Sequence, residues 1–267
     1  MKPIRGIGIL LLFFYICLDG TAQEPVYFFS ETFNMAASDP LGHFYLVQEG
    51  QIRKIDSLGQ VMYTFSDPEK GQVSWLDASD PFRILVYYRT FNQLIFLDRT
   101  LSPLGDPVRL DDLEIFVPAG ICRARQGGFW VIDQSNSSLI HLDADLNRQV
   151  DIRLGGINTN QMESWFPMLE WKERLYICRQ GQNVIQFDLY GTQLINIPVK
   201  TMGISSMDNM MLFIGDQVVY KYSDYPAGLS EPMTMLLPEW EQLIISKNRA
   251  LIQDQSGWHL YRLKKTP

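Results

Sequence analysis

One outline occurs six times at a spacing of about 40 residues, and this repetition constrains the chain more than any other feature. Its fullest copy, at 37–60, reads A-S-D-P-L-G-H-F-Y-L-V-Q-E-G-Q-I-R-K-I-D-S-L-G-Q: a turn, an apolar run, a second turn, another apolar run, then aspartate and glycine. The turns that open successive copies end at Asp39, Asp80, Gln126, Glu173, Asp208 and Asn248, which are 41, 46, 47, 35 and 40 residues apart. A period near 40 with several strands in each copy is the mark of a β-propeller, whose blades are four-stranded sheets. A helical repeat of this length would place apolar residues at every third or fourth position, a pattern these segments lack.

Within each copy the run after the opening turn is almost continuously apolar, as in 44–47, 84–88, 129–132, 175–178, 211–214 and 250–252. Such runs predict strands buried on both faces, between neighbouring blades. The next strands, at 52–56, 94–98, 139–143, 184–188, 218–222 and 258–262, alternate more clearly, and four of them end in aspartate. An aspartate there predicts a turn, because its carboxylate can accept the backbone N–H two residues on. Outer strands are expected near 61–65, 107–110, 149–154, 193–199 and 233–237. The sixth copy has no room for a fourth strand, whereas an unassigned strand lies at 26–30; the N-terminal strand is expected to complete the last blade and close the ring. The fold class read from the sequence is therefore all-β, a six-bladed propeller of four-stranded antiparallel blades.

The first 22 residues carry Lys2 and Arg5, an apolar stretch from Ile7 to Leu18, then Gly20, Thr21 and Ala22. This order predicts a secretory signal peptide cleaved after Ala22 and too short to span a membrane, with 23–267 as the propeller domain. The mature chain would hold 21 basic and 29 acidic residues, a net charge of −8. That balance disfavours nucleic acid and anionic lipid as partners and predicts a protein exported to the periplasm or beyond. Cys122 and Cys178 each sit in an apolar run, so two unpaired core thiols are expected despite the oxidising compartment.

The units resemble the six-bladed propellers of the NHL and TolB-like group, in which A-x-D-x-x-G followed by three apolar residues, and later an apolar strand ending in D-x-x-G, recur. Residues 37–60 match best and 127–133 match the middle of the outline, whereas units four to six have lost most of the glycines. The resemblance specifies architecture only, because such propellers serve as binding modules, lactonases, lyases and scaffolds.

No H-E-x-x-H, G-x-S-x-G or phosphate-binding glycine loop occurs, and His43, His141 and His259 fall in three different units. No catalytic residue and no metal ligand is assigned. The inner strands offer Asn34, Asp77, Arg123, Glu170 and Ser205, a mixed set without a repeated ligand geometry. No cofactor is implied; calcium is the one ion the acidic interblade loops could take. Candidate partner-binding residues lie in those loops: Asp111, Asp112 and Glu114; Glu239 and Glu241; and, in the longest connection at 155–166, Asn158, Asn160, Glu163, Trp165 and Phe166. The function expected is a non-catalytic protein-binding module of the bacterial cell envelope with an envelope protein as partner. The alternatives are a divalent-metal hydrolase or lactonase working in the central channel, and a carbohydrate or peptide receptor.

Overall fold

The computed structural model describes residues 25–154, 166–207, 210–224, 227–233 and 237–263. The predicted signal peptide and the loop positions Asn158, Asn160, Glu163 and Trp165 lie outside them. The chain forms six four-stranded antiparallel sheets, five of them built in sequence order from an inner strand outwards. The inner strands are Met35–Ser38, Trp75–Asp77, Pro118–Arg123, Met168–Trp171, Gly203–Met207 and Gln242–Ser246, which begin blades 1 to 6.

The closure read from the sequence is present. Tyr27–Phe29 pairs with Gly257–Arg262 as the outer strand of blade 6, in the register Tyr27 to Leu260 and Phe29 to Trp258. Phe29 is buried against Phe33, 5.8 Å away between ring centres, and Phe33 in turn meets Trp258. Around the same seam the Ser246 hydroxyl donates to the Asp39 carbonyl, Ser38 donates to the Ile245 carbonyl, and the Arg249 guanidinium donates to Ser57.

Each second strand is buried on both faces, as its composition requires. In blade 1, Phe44 and Leu46 pack toward Leu251, Trp258 and Leu260 of blade 6, whereas Tyr45 and Val47 pack toward Ile84, Val86 and Tyr88 of blade 2. The two-residue period of the strand thus divides its side chains between two interfaces, and the core is a ring of such interfaces.

The turn after the third strand repeats in four blades. One carboxylate oxygen of Asp56, Asp98, Asp143 and Asp188 accepts the backbone N–H groups two and four residues on. The residue three places after each aspartate has positive φ, and is Gly59, Leu101, Leu146 or Gly191. Two of these glycines are also needed for room. A Cβ on Gly59 would lie 2.6 Å from the Tyr27 ring of blade 6, and one on Gly191 would lie 2.8 Å from Val150 of blade 3. The outer strand of one blade therefore rests on the turn of the next.

One strand differs from expectation. The outer strand of blade 5 is Ala227–Met233, and the sequence places it at 233–237. Gly228 and Pro232 read as turn residues, but proline is tolerated on an outer edge because no further strand needs its N–H.

Cys122 and Cys178 are both buried and unbridged. Burial pushes the Cys122 thiol well above its ordinary range and the Cys178 thiol up to about 12. Iodoacetamide at about pH 8 is therefore expected to spare both in the folded protein and to label both after denaturation, since the thiolate is the reactive form. Mass analysis of the two peptides checks this, and rapid labelling of the folded chain would contradict it.

Candidate functional site

Because every inner strand starts where an interblade connection ends, one face of the ring carries the interblade connections and the turns between second and third strands. The opposite face carries the remaining turns. The inner strands enclose a central cavity of about 880 Å³. At the interblade end its wall includes Met35, Trp75, Met168, Met202, Trp240 and Leu243.

Four of the five polar residues that the sequence places on inner strands bind a neighbouring blade, and Asn34 binds within its own. Asp77 of blade 2 accepts the Arg123 backbone N–H of blade 3 at 2.8 Å, and also that of Ser79. Glu170 of blade 4 accepts the Trp130 indole N–H at 2.7 Å and the Arg125 backbone N–H, both from blade 3. The Arg123 guanidinium binds Asp80 at 3.0 Å, Ser205 of blade 5 donates to the Ile245 carbonyl of blade 6, and Asn34 accepts the Glu49 N–H. Asp77 and Ser205 also line the central cavity, whereas Asn34, Arg123 and Glu170 do not. Among the described residues no group of three or more His, Cys, Asp or Glu is placed to hold a metal ion.

The histidines also serve local structure. His141 stacks on Trp130 at 4.3 Å and 12°, and burial holds it below the ordinary imidazole range. His259 lies 2.8 Å from the Ser256 hydroxyl and 3.3 Å from Asp254. His43 lies 2.8 Å from the buried Asp39 carboxylate, which also accepts the Tyr45 hydroxyl and sits 3.8 Å from the Lys54 ammonium.

On the interblade face, the best-built surface is the junction of blades 2 and 3. Asn92, with φ of 45°, occupies the turn after a short 3-10 segment, Arg89–Phe91. Its side chain accepts the Tyr87 hydroxyl and donates to Asp111 at 2.6 Å and to the Ile115 carbonyl at 2.7 Å. One buried amide thereby fixes the acidic segment Asp111–Leu113 against the neighbouring hairpin. On either side of this lock stand Phe91, Phe116 and Val117, which are 51, 56 and 45% exposed. Asp112 and Glu114 are exposed beside them, and Arg109 lies 3.9 Å from Asp112.

The candidate residues from the sequence thus have different fates. Asp111 is partly committed to Asn92, Asp112 and Glu114 face solvent, and Glu239 and Glu241 are exposed near the channel mouth. Phe166 requires a correction: it is 6% exposed, packed among Ala119, Met168 and neighbouring core residues, so it plugs the seam between blades 3 and 4 and offers no anchor to a partner. Sequence reasoning missed Phe91, Phe116 and Met202. The available signal was a large apolar residue in a connection, outside the alternating pattern of the flanking strands.

No family model and no curated protein matches the chain. Solved structures do, and they show the fold, a six-bladed propeller. A streptogramin B lyase structure is 15% identical, with 90% of this chain and 87% of that chain covered and a TM-score of 0.56. A catalytically inactive histidine-to-alanine variant of virginiamycin B lyase from Staphylococcus aureus, with quinupristin, is 13% identical over 84% of this chain and 82% of that chain, with a TM-score of 0.54. BBS1N in complex with ARL6DN is 12% identical over 84% of this chain and 76% of that chain, with a TM-score of 0.53.

Proposed function

We propose that the chain is a non-catalytic protein-binding module, exported into the bacterial cell envelope, that engages an envelope partner through the interblade face at blades 2 and 3. The observation that carries this reading is the exposed apolar group Phe91, Phe116 and Val117, held rigid by Asn92 and bordered by Asp112 and Glu114. Exposed aromatics fixed on a rigid support, with charge at the rim, are the composition of an interaction surface. The acidic border selects a partner with basic residues around an apolar anchor. The segment at 1–22 supports the envelope location. The likeness to a lyase extends to the fold, but no described residue lining the channel is a histidine, and the carboxylates of Asp77 and Glu170 are engaged by N–H donors of the neighbouring blade.

The test is affinity purification of the tagged full-length protein from its native envelope, beside a variant carrying Phe91→Asp and Phe116→Asp. Both positions are exposed, so the variant is expected to melt like the wild type and to lose about tenfold or more of the recovered partner. Recovery of no stoichiometric partner, or equal recovery with the variant, would overturn the proposal.

A further inference from the structure

We infer that the central cavity is a separate binding site for a small organic cation, an amine carried on an aromatic or alkyl body. The inference does not depend on the partner surface at blades 2 and 3. The volume of about 880 Å³ falls within the roughly 300–1,000 Å³ usual for ligand pockets. The wall is mainly apolar, and its methionines adapt to varied shapes.

Three features select the charge. Every charged residue among the described lining residues is acidic: Asp39 and Asp77 at the far end, Asp216 and Glu241 at the interblade end. Asp39 is offset by Lys54 at 3.8 Å, so the negative field comes from Asp77, Asp216 and Glu241. Low-dielectric walls of one sign concentrate a ligand of the other sign. Second, two hydroxyls in the wall are already committed as donors. Ser38 and Ser205, from blades 1 and 5, each donate to the Ile245 carbonyl at 3.3 Å, which leaves their lone pairs for an incoming N–H. Third, Trp75 and Trp240 stand at the interblade end, and tryptophan is the side chain that best attracts a cation to its face. An anion would meet the acidic residues, and a bare metal ion would meet too few oxygen ligands in a wall of this composition.

The experiment uses the full chain and three probes of matched shape, 4-phenylbutylammonium, 4-phenylbutanol and 4-phenylbutyrate, titrated by calorimetry. The ammonium is expected to bind saturably with one site per chain, about tenfold or more tighter than the alcohol, with the carboxylate weaker still. Met202→Lys combined with Glu241→Lys changes two exposed residues at the mouth and is expected to weaken the ammonium about tenfold or more while leaving the melting temperature in place. Phe91→Asp with Phe116→Asp is expected to leave ammonium binding unchanged, which separates this site from the partner surface. Absence of saturable ammonium binding, equal affinity for the carboxylate, or indifference to the double lysine variant would each overturn the inference.

Discussion

Removal of Tyr27–Phe29 is expected to lower the midpoint of thermal unfolding by about 10 °C or more, because this strand alone completes blade 6. Losing a buried phenylalanine costs about 3–5 kcal/mol, and for a domain of this size each kcal/mol moves the midpoint by about 2–4 °C. Phe29 supplies that loss, and the bared strand Gly257–Arg262 adds an unpaired edge beside Trp258 and Leu260. Circular dichroism melts of the full chain and the deletion decide the matter, with Phe29→Ala as an intermediate case. An unchanged midpoint would show that the ring does not depend on this strand.

Asp39→Ala is expected to destabilise the protein comparably. The carboxylate is 2% exposed and accepts two backbone N–H groups, the Tyr45 hydroxyl and the His43 ring, with the Lys54 ammonium 3.8 Å away. The Lys54 side chain is itself only 3% exposed and donates to the Arg99 carbonyl of blade 2. Burial holds the Lys54 ammonium below the usual lysine range, against the pull of Asp39, so losing the carboxylate removes the group that keeps it charged. Breaking a buried pair from one side costs about 3–5 kcal/mol, which corresponds to a fall of about 10 °C. Asp39→Asn combined with Lys54→Met is expected to recover part of that loss, since no uncompensated charge remains. Melts of Asp39→Ala, Asp39→Asn, Lys54→Met and the double variant test it, and a double variant as unstable as the sum of its two parts would show that the two groups do not interact.

The blades were legible because their determinants are local. An aspartate, two residues and a glycine or leucine define a turn through bonds spanning only four residues, and alternating or continuous apolarity marks how many faces of a strand are buried. The strand at Ala227–Met233 escaped because Pro232 carries the local signal of a turn, while the edge that tolerates it is a property of the assembled sheet. The interblade roles of Asp77 and Glu170 escaped for a related reason. Their partners lie 46 and 40 to 45 residues away, in positions that no local pattern links to them. At the junction of blades 2 and 3 the acidic residues could be seen in sequence, but their rigid setting depends on the left-handed turn at Asn92 and its reach to Ile115. Phe166 shows the limit from the other side: an aromatic in a long connection has the composition of an anchor, and only packing reveals it as a plug.

The seam between the first and last strands sets the order in which the molecule can be made. Tyr27 pairs with Leu260, more than 230 residues further along the chain, so the strand before blade 1 has no partner until blade 6 exists. Contacts of such long sequence separation carry a large loop-closure entropy and form slowly. Until they form, blade 6 lacks its outer strand and the ring has no lock, which makes the docking of Tyr27–Phe29 on Gly257–Arg262 the event that commits the propeller to its folded state.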